Sequence, residues 1–152
     1  MTATGHAIIG AALGVKLVNP VIGLPVSFLA HFLCDKVPHW DPMTNKKKTK
    51  SQILRDTVID VIISYTIVAI MWKVFFPASS GVYLFLMAFV SQLPDWLEMP
   101  KLLLGINIPG SDFNLKIQRW FHDVGFNSRL QAPWGVITQV IVAALFVFWA
   151  LR

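Results

Sequence analysis

An all-α, polytopic membrane bundle of four or five spans with one short interfacial helix is the fold class this sequence predicts, and three observations carry it. Five apolar segments divide the chain, basic residues gather in alternate connections, and the 152 residues are 55% hydrophobic against 14% charged. A water-soluble domain of that composition would lack polar surface, so lipid is the expected solvent for much of it. The length suits a single membrane-embedded domain, residues 1–152.

The first two segments, near 4–18 and 21–37, are joined by the tight turn Asn19-Pro20. Both are short beside the ~20 apolar residues a span needs, which leaves two tilted spans or a re-entrant hairpin. Either returns the chain to the side on which it started. No Lys or Arg precedes Lys16 and no small-residue cleavage pattern follows, so the first run is expected to be retained structure and not a signal peptide. The lone Cys34 excludes an internal disulfide and reads as packing.

Pro38, Pro42 and the run Lys46-Lys47-Lys48-Thr49-Lys50 form a basic loop, after which Ser51 can cap the third segment, 51–76. The turn Pro77-Ala78-Ser79-Ser80-Gly81 leads to the fourth, 82–104. Within the long loop 105–133, Phe113, Ile117, Trp120 and Phe121 recur at helical spacing while Lys116 and Arg119 fall opposite, the pattern of an amphipathic helix lying in the interface with Ser111 as its N-cap. The fifth segment, 134–151, is apolar throughout except for Thr138 and Gln139.

Orientation follows from the cations. The lysine loop and the long loop, with Lys116, Arg119 and Arg129, outweigh Lys16 and Lys73 in the opposite connections, so the positive-inside rule puts both basic loops in the cytoplasm of an inner-membrane protein and Arg152 outside. On that topology His6, His31, Asp35, Asp56, Asp60, Asp95 and Glu98 come to comparable depth. Their spacing agrees: His6-Gly10-Gly14, Ser27-His31-Asp35, Asp56-Asp60-Ser64 and Ser91-Asp95-Glu98 each share a helix face. Asp41, Asp112 and Asp123 taken singly read as caps or interfacial residues, and Arg55 is available to pair with Asp56. Charge buried in hydrocarbon is costly and points to function.

Mixed imidazole and carboxylate donors suit a divalent metal, with zinc favoured by the histidine share and manganese or iron as alternatives. The expected ligands are His6, His31, Asp35, Asp56, Asp60 and Asp95. These exceed the needs of one tetrahedral ion, and two ions ~3.5–4 Å apart, as in phosphate-ester hydrolases, would use them. Glu98 and His39 are the candidate acid and base. Lys47, Lys48, Lys116, Arg119, His122 and Arg129 are the candidate substrate contacts, since a pocket at headgroup depth beside them suits an anionic lipid.

The segments T-A-T-G-H-A, A-H-F-L-C-D and L-P-D-W-L-E resemble the G-H start, the H-x-x-x-D helix and the L-P-D element of the bacterial inner-membrane, metal-dependent hydrolases typified by YdjM. The resemblance implies a multi-span membrane protein with hydrolase activity and supports His6, His31, Asp35 and Asp95 as site positions. It covers about a third of the chain. Here Trp96, Leu97 and Glu98 follow L-P-D where the family has a further Asp-His, the order of the H-x-x-x-D and L-P-D elements is exchanged, and no H-R-G-x-T-H-S element is present.

The expectation is therefore a metal-dependent hydrolase, a phosphoesterase acting on an anionic lipid at the cytoplasmic face, with membrane lipids and no nucleic acid as partners. A cation or proton transporter is the main alternative, weakened by the scarcity of acidic and imidazole groups in 134–151 and in the outer halves of the other segments. A membrane subunit with a structural metal is the third.

Overall fold

A computed structural model describes residues 1–41, 48–123 and 129–152, with the backbone alone at 122 and 123. The described residues are helical: α1 (Ala3–Lys16), α2 (Pro20–Cys34), α3 (Lys50–Ile70) continued by a π-helical stretch (Met71–Phe75), α4 (Gly81–Leu104), α5 (Ser111–Asp123) and α6 (Trp134–Leu151). The segments expected from apolar runs are the helices observed, shifted by a few residues at their ends. Capping differs at α3, where Thr49 and Gln52 form a reciprocal capping box and Ser51 is already inside the helix. Ser111 is likewise the first residue of α5, and its hydroxyl bonds to Asn107.

α1 lies at the centre and packs against α2, α3, α4 and α6. Its small residues permit this. A Cβ on Gly10 would lie 2.6 Å from the Met87 carbonyl oxygen of α4, and one on Gly14 3.0 Å from the Met87 side chain, so the two helices meet nearly backbone to backbone. His6 is one turn before Gly10, and the same approach lets its carbonyl accept from Ser91 of α4 while its side chain is buried, 1% exposed.

α3 and α6 have the reverse polarity of helices in a water-soluble core. The buried positions of α3 are Ser64 and Val68, and those of α6 are Gly135, Gln139, Ala143 and Ala150. Large aliphatic side chains point outward instead, including Ile59, Ile62, Ile63, Val140, Ile141 and Leu145. Small and polar residues face the bundle while aliphatic ones face out, as lipid requires. Among the described residues two helices are long and apolar enough to cross a membrane, Lys50–Phe75 and Trp134–Leu151.

α5 is inverted in the same sense. Its polar residues Ser111, Asn114 and Gln118 are buried, whereas Phe113 is 70% and Trp120 57% exposed. Asn114 Nδ2 donates to the Pro94 carbonyl of α4 at 2.8 Å, and Phe121 lies tilted against Phe32 of α2 with ring centroids 5.5 Å apart. At its start Lys101 and Asn107 bond to Asp112 and hold that carboxyl below the usual range. The loop after α2 is pinned to α6: Trp40 N–H donates to the Gly135 carbonyl at 3.1 Å, and Gln139 Nε2 to the Trp40 carbonyl at 3.1 Å.

Candidate metal centre

Three α4 carbonyls organise the site by accepting side chains from neighbouring helices. Ser27 of α2 donates its hydroxyl to Met87 O at 2.8 Å, His31 donates Nδ1–H to Ser91 O at 2.7 Å, and Asn114 takes Pro94 O. Ser91 returns the link to α1 by donating its own hydroxyl to His6 O at 2.7 Å. A carbonyl only accepts, so Nδ1 of His31 carries a proton, and Nε2 is the ring nitrogen left to serve as a ligand atom in the neutral ring. Tying one imidazole nitrogen to an acceptor is how proteins orient histidines toward metals.

His31 Nε2 is buried and makes no hydrogen bond, although Asp35 Oδ2 lies at 3.2 Å and Asp95 Oδ1 at 3.5 Å. Nε2 thus points into the space between the two carboxylates without an aligned hydrogen bond to either. The His6 ring stacks on that of His31 with centroids 3.9 Å apart, and its Nε2 is 3.1 Å from Asp35 Oδ1. One donor atom from each of His6, His31 and Asp95 falls within 4.8 Å of the others. Ligand atoms bonded at 2.0–2.1 Å around a tetrahedral ion stand about 3.3 Å apart, so these separations fit a bound cation. The amino group of Met1 also pairs with Asp35.

The cluster opens on a cavity of ≈ 610 Å³. Asp35, Asp41, Asp95 and Glu98 give one part of its lining, Ile53, Val61, Met99 and Leu102 another, and Lys101, Arg119 and Arg129 a third. Glu98 lies one turn beyond Asp95 on α4, with Asn114 Nδ2 at 3.5 Å from its Oε1. His39 is fully buried, 3.6 Å from Asp41 Oδ2 and 3.9 Å from Asp35 Oδ1. Burial pushes the Asp41 carboxyl up, but the His39 hydrogen bond, the Met1 ammonium and Arg129 prevail and hold it at about 2.

The structure thus brings together His6, His31, Asp35 and Asp95, with Glu98 and His39 beside them. It does not bring Asp56, which pairs instead with Lys48 at 2.7 Å and Arg55 at 2.8 Å near the start of α3. Asp60 lines the cavity, but its carboxylate is engaged by the N-terminus of α1, accepting from Ala3 N at 2.6 Å, Thr4 N at 3.2 Å and Thr4 Oγ1 at 2.6 Å. An acid at a helix N-terminus is stabilised by the free N–H groups there, which accounts for its depth without a metal. Among the expected substrate contacts, Arg119 and Arg129 line the cavity, Lys116 is exposed on α5, and Lys48 is taken by Asp56 and lies over Trp40. Lys47 and the His122 side chain lie outside the described residues. Sequence reasoning passed over Asp41 as a site residue; its one signal was the spacing His39-x-Asp41 just after the H-x-x-x-D element.

No family model, curated protein or solved structure matches the chain. Among the described residues, fold and site together show helices as the only extended elements, two of them long and apolar enough to cross a membrane, and a His/Asp group able to hold a metal ion.

Proposed function

We propose that this chain is a membrane-embedded, metal-dependent hydrolase that cleaves a phosphate ester of an anionic lipid at the cytoplasmic face of the inner membrane. The observation that carries the reading is the convergence of His6, His31 and Asp95 donor atoms, with His31 Nε2 unpaired, on a cavity whose lining is part carboxylate, part aliphatic and part cationic. An amphiphile with an anionic head suits all three kinds of lining. The four positions carried over from the resemblance to YdjM-type hydrolases are the ones that meet, which supports membership of that group.

His6, His31 and Asp95, with Asp35 facing the Nε2 atoms of both stacked rings, would hold the cation; zinc suits the donors best and manganese or iron less well. Bound there, a divalent cation supplies a water of lowered pKa and an electrophile for phosphate oxygens. Glu98, beside the ligands and facing the same cavity, takes or returns the proton. Arg119 and Arg129 receive the phosphate charge, and the aliphatic lining takes the chain next to it.

The membrane reading is of five spans, or of three where α1 and α2 do not cross. α3, α4 and α6 cross, and α1 and α2, of 14 and 15 residues, form a re-entrant hairpin or two tilted crossings. Their rise, about 21 and 23 Å at 1.5 Å per residue, falls short of the ~30 Å hydrocarbon core, and the burial of α1 favours the hairpin. The outward Phe113 and Trp120 of α5 then rest in the headgroup region above the cavity.

Purified protein in anionic vesicles should hydrolyse a lipid phosphate, lose the activity to a chelator and regain it with zinc or manganese. Absence of hydrolysis across phosphate, ester and amide lipids, together with metal-dependent cation or proton flux in sealed vesicles, would replace the enzyme with a transporter.

A further inference from the structure

We propose that the cavity selects a lipid phosphate whose head carries a free hydroxyl beside the ester, recognised by the side-chain amides of Gln92 on α4 and Gln118 on α5. The inference rests on the hydrolase reading above and names the substrate class of that same site.

Gln92 is one turn before Asp95 on α4, is 2% exposed and lines the cavity. Its amide is fixed from two sides. Nε2 donates to the Ala3 carbonyl of α1 at 3.2 Å and to Ser64 Oγ of α3 at 3.2 Å, and the Ser64 hydroxyl gives its own proton to the Val61 carbonyl at 2.8 Å. Both partners of Nε2 only accept, so the amide cannot be turned over, and Oε1 is left as a buried acceptor without a hydrogen bond.

Gln118 is the counterpart on α5. It is 6% exposed and lines the same cavity, and its Nε2 is buried without a hydrogen bond. Its place along the helix sets its height: it shares a face with Asn114, which holds the Pro94 carbonyl, and with Phe121, which lies against Phe32. Asp95 follows Pro94 and His31 precedes Phe32, so Gln118 comes level with two of the candidate ligands.

Buried polar groups are nearly all hydrogen-bonded in folded proteins, because an unmade bond forfeits the solvation that water would give. Two amides left unmet on one cavity therefore state what its occupant has to bring. Gln92 needs a donor and Gln118 an acceptor. An N–H group serves only the first and a carbonyl or phosphate oxygen only the second, whereas a hydroxyl serves either. A fully ionised phosphate has no proton to give Gln92, so the donor must come from the head beside it.

The test uses the full-length protein in detergent micelles with 1-acyl-glycerol 3-phosphate, its 2-hydroxyl free, and the 2-deoxy counterpart, together with the non-hydrolysable phosphonate of each. The hydroxylated ester should be favoured about 10²-fold in kcat/KM, and its phosphonate should bind more tightly, since a site built to bond a hydroxyl rejects the analogue that lacks it. Gln92→Met should bring the ratio of the two kcat/KM values to within about 3-fold of unity, and Gln118→Leu, which leaves the Ala3 and Ser64 bonds in place, should lower it about 10-fold. A ratio does not depend on how much of a variant folds. Equal use of both esters by the native protein would overturn this inference and leave the hydrolase reading standing. Preference for the hydroxylated phosphonate with no turnover of either ester would overturn the hydrolase reading and leave this one; neither binding nor turnover would overturn both. A ratio unmoved in both variants would overturn the assignment to Gln92 and Gln118.

Discussion

At His31 the two ring nitrogens have separate duties: Nδ1 is spent on the Ser91 carbonyl of α4, and Nε2 stands between two carboxylates without a hydrogen bond. His31→Ala should therefore strip most of the metal while Asp60→Ala should not. The expected loss for Asp60→Ala is one of stability, about 0.5–2 kcal/mol from the Ala3 and Thr4 N–H groups it leaves unsatisfied while Thr2 still caps α1, read as a lower unfolding midpoint. Loss of stoichiometric metal from Asp60→Ala, measured by elemental analysis, would return Asp60 to the ligand set. Glu98→Gln should keep metal and lower turnover by about 10²–10⁴-fold, because removal of a general acid or base separates binding from rate. Charge-derived topology and helical spacing together placed His6, His31, Asp35 and Asp95 near one another, and the structure has them as neighbours. The sequence marked Asp56 for pairing with Arg55 but could not separate Asp60 from the ligands, because only the partner opposite each carboxylate distinguishes them.

Among the elements, α1 and α5 govern access to the site. Gly10→Val puts two methyl groups where the Met87 carbonyl and Ser91 already stand, and backbone on the far side cannot yield. Separation of α1 from α4 should cost about 1–3 kcal/mol and carry His6 away from His31, so metal content should fall together with the unfolding midpoint. Helix α5 was expected from its periodicity, and the structure adds which way it turns: the polar side closes on the cavity and the aromatic side faces out. A nitroxide at Phe113 should accordingly relax faster with oxygen dissolved in lipid, while one at Gln118 should be shielded from it. Equal exposure of both labels to an aqueous relaxant would remove α5 from the interface.

For the molecule as a whole the testable consequence is topology. A cysteine introduced at Lys47 should label only from the cytoplasmic side and one at Ser79 only from the outside, since the site end of the bundle carries the basic connections. Labelling of both from the same side would contradict an odd number of crossings between them. The all-helical class, the five apolar segments and the short helix in 105–133 were determined by the sequence itself, because hydrophobic run length, periodicity and turn residues act over a few residues at a time. Which polar groups meet was decided by tertiary structure. Asp60 meets α1 some 56 residues away from it in the chain, His31 meets Ser91 across 60, and the strap bearing His39 is held by α6 across nearly 100. The closest approach of α1 to α4 depends on the absence of side chains at Gly10 and Gly14, and the partner filling that space is named by no local pattern, only by packing.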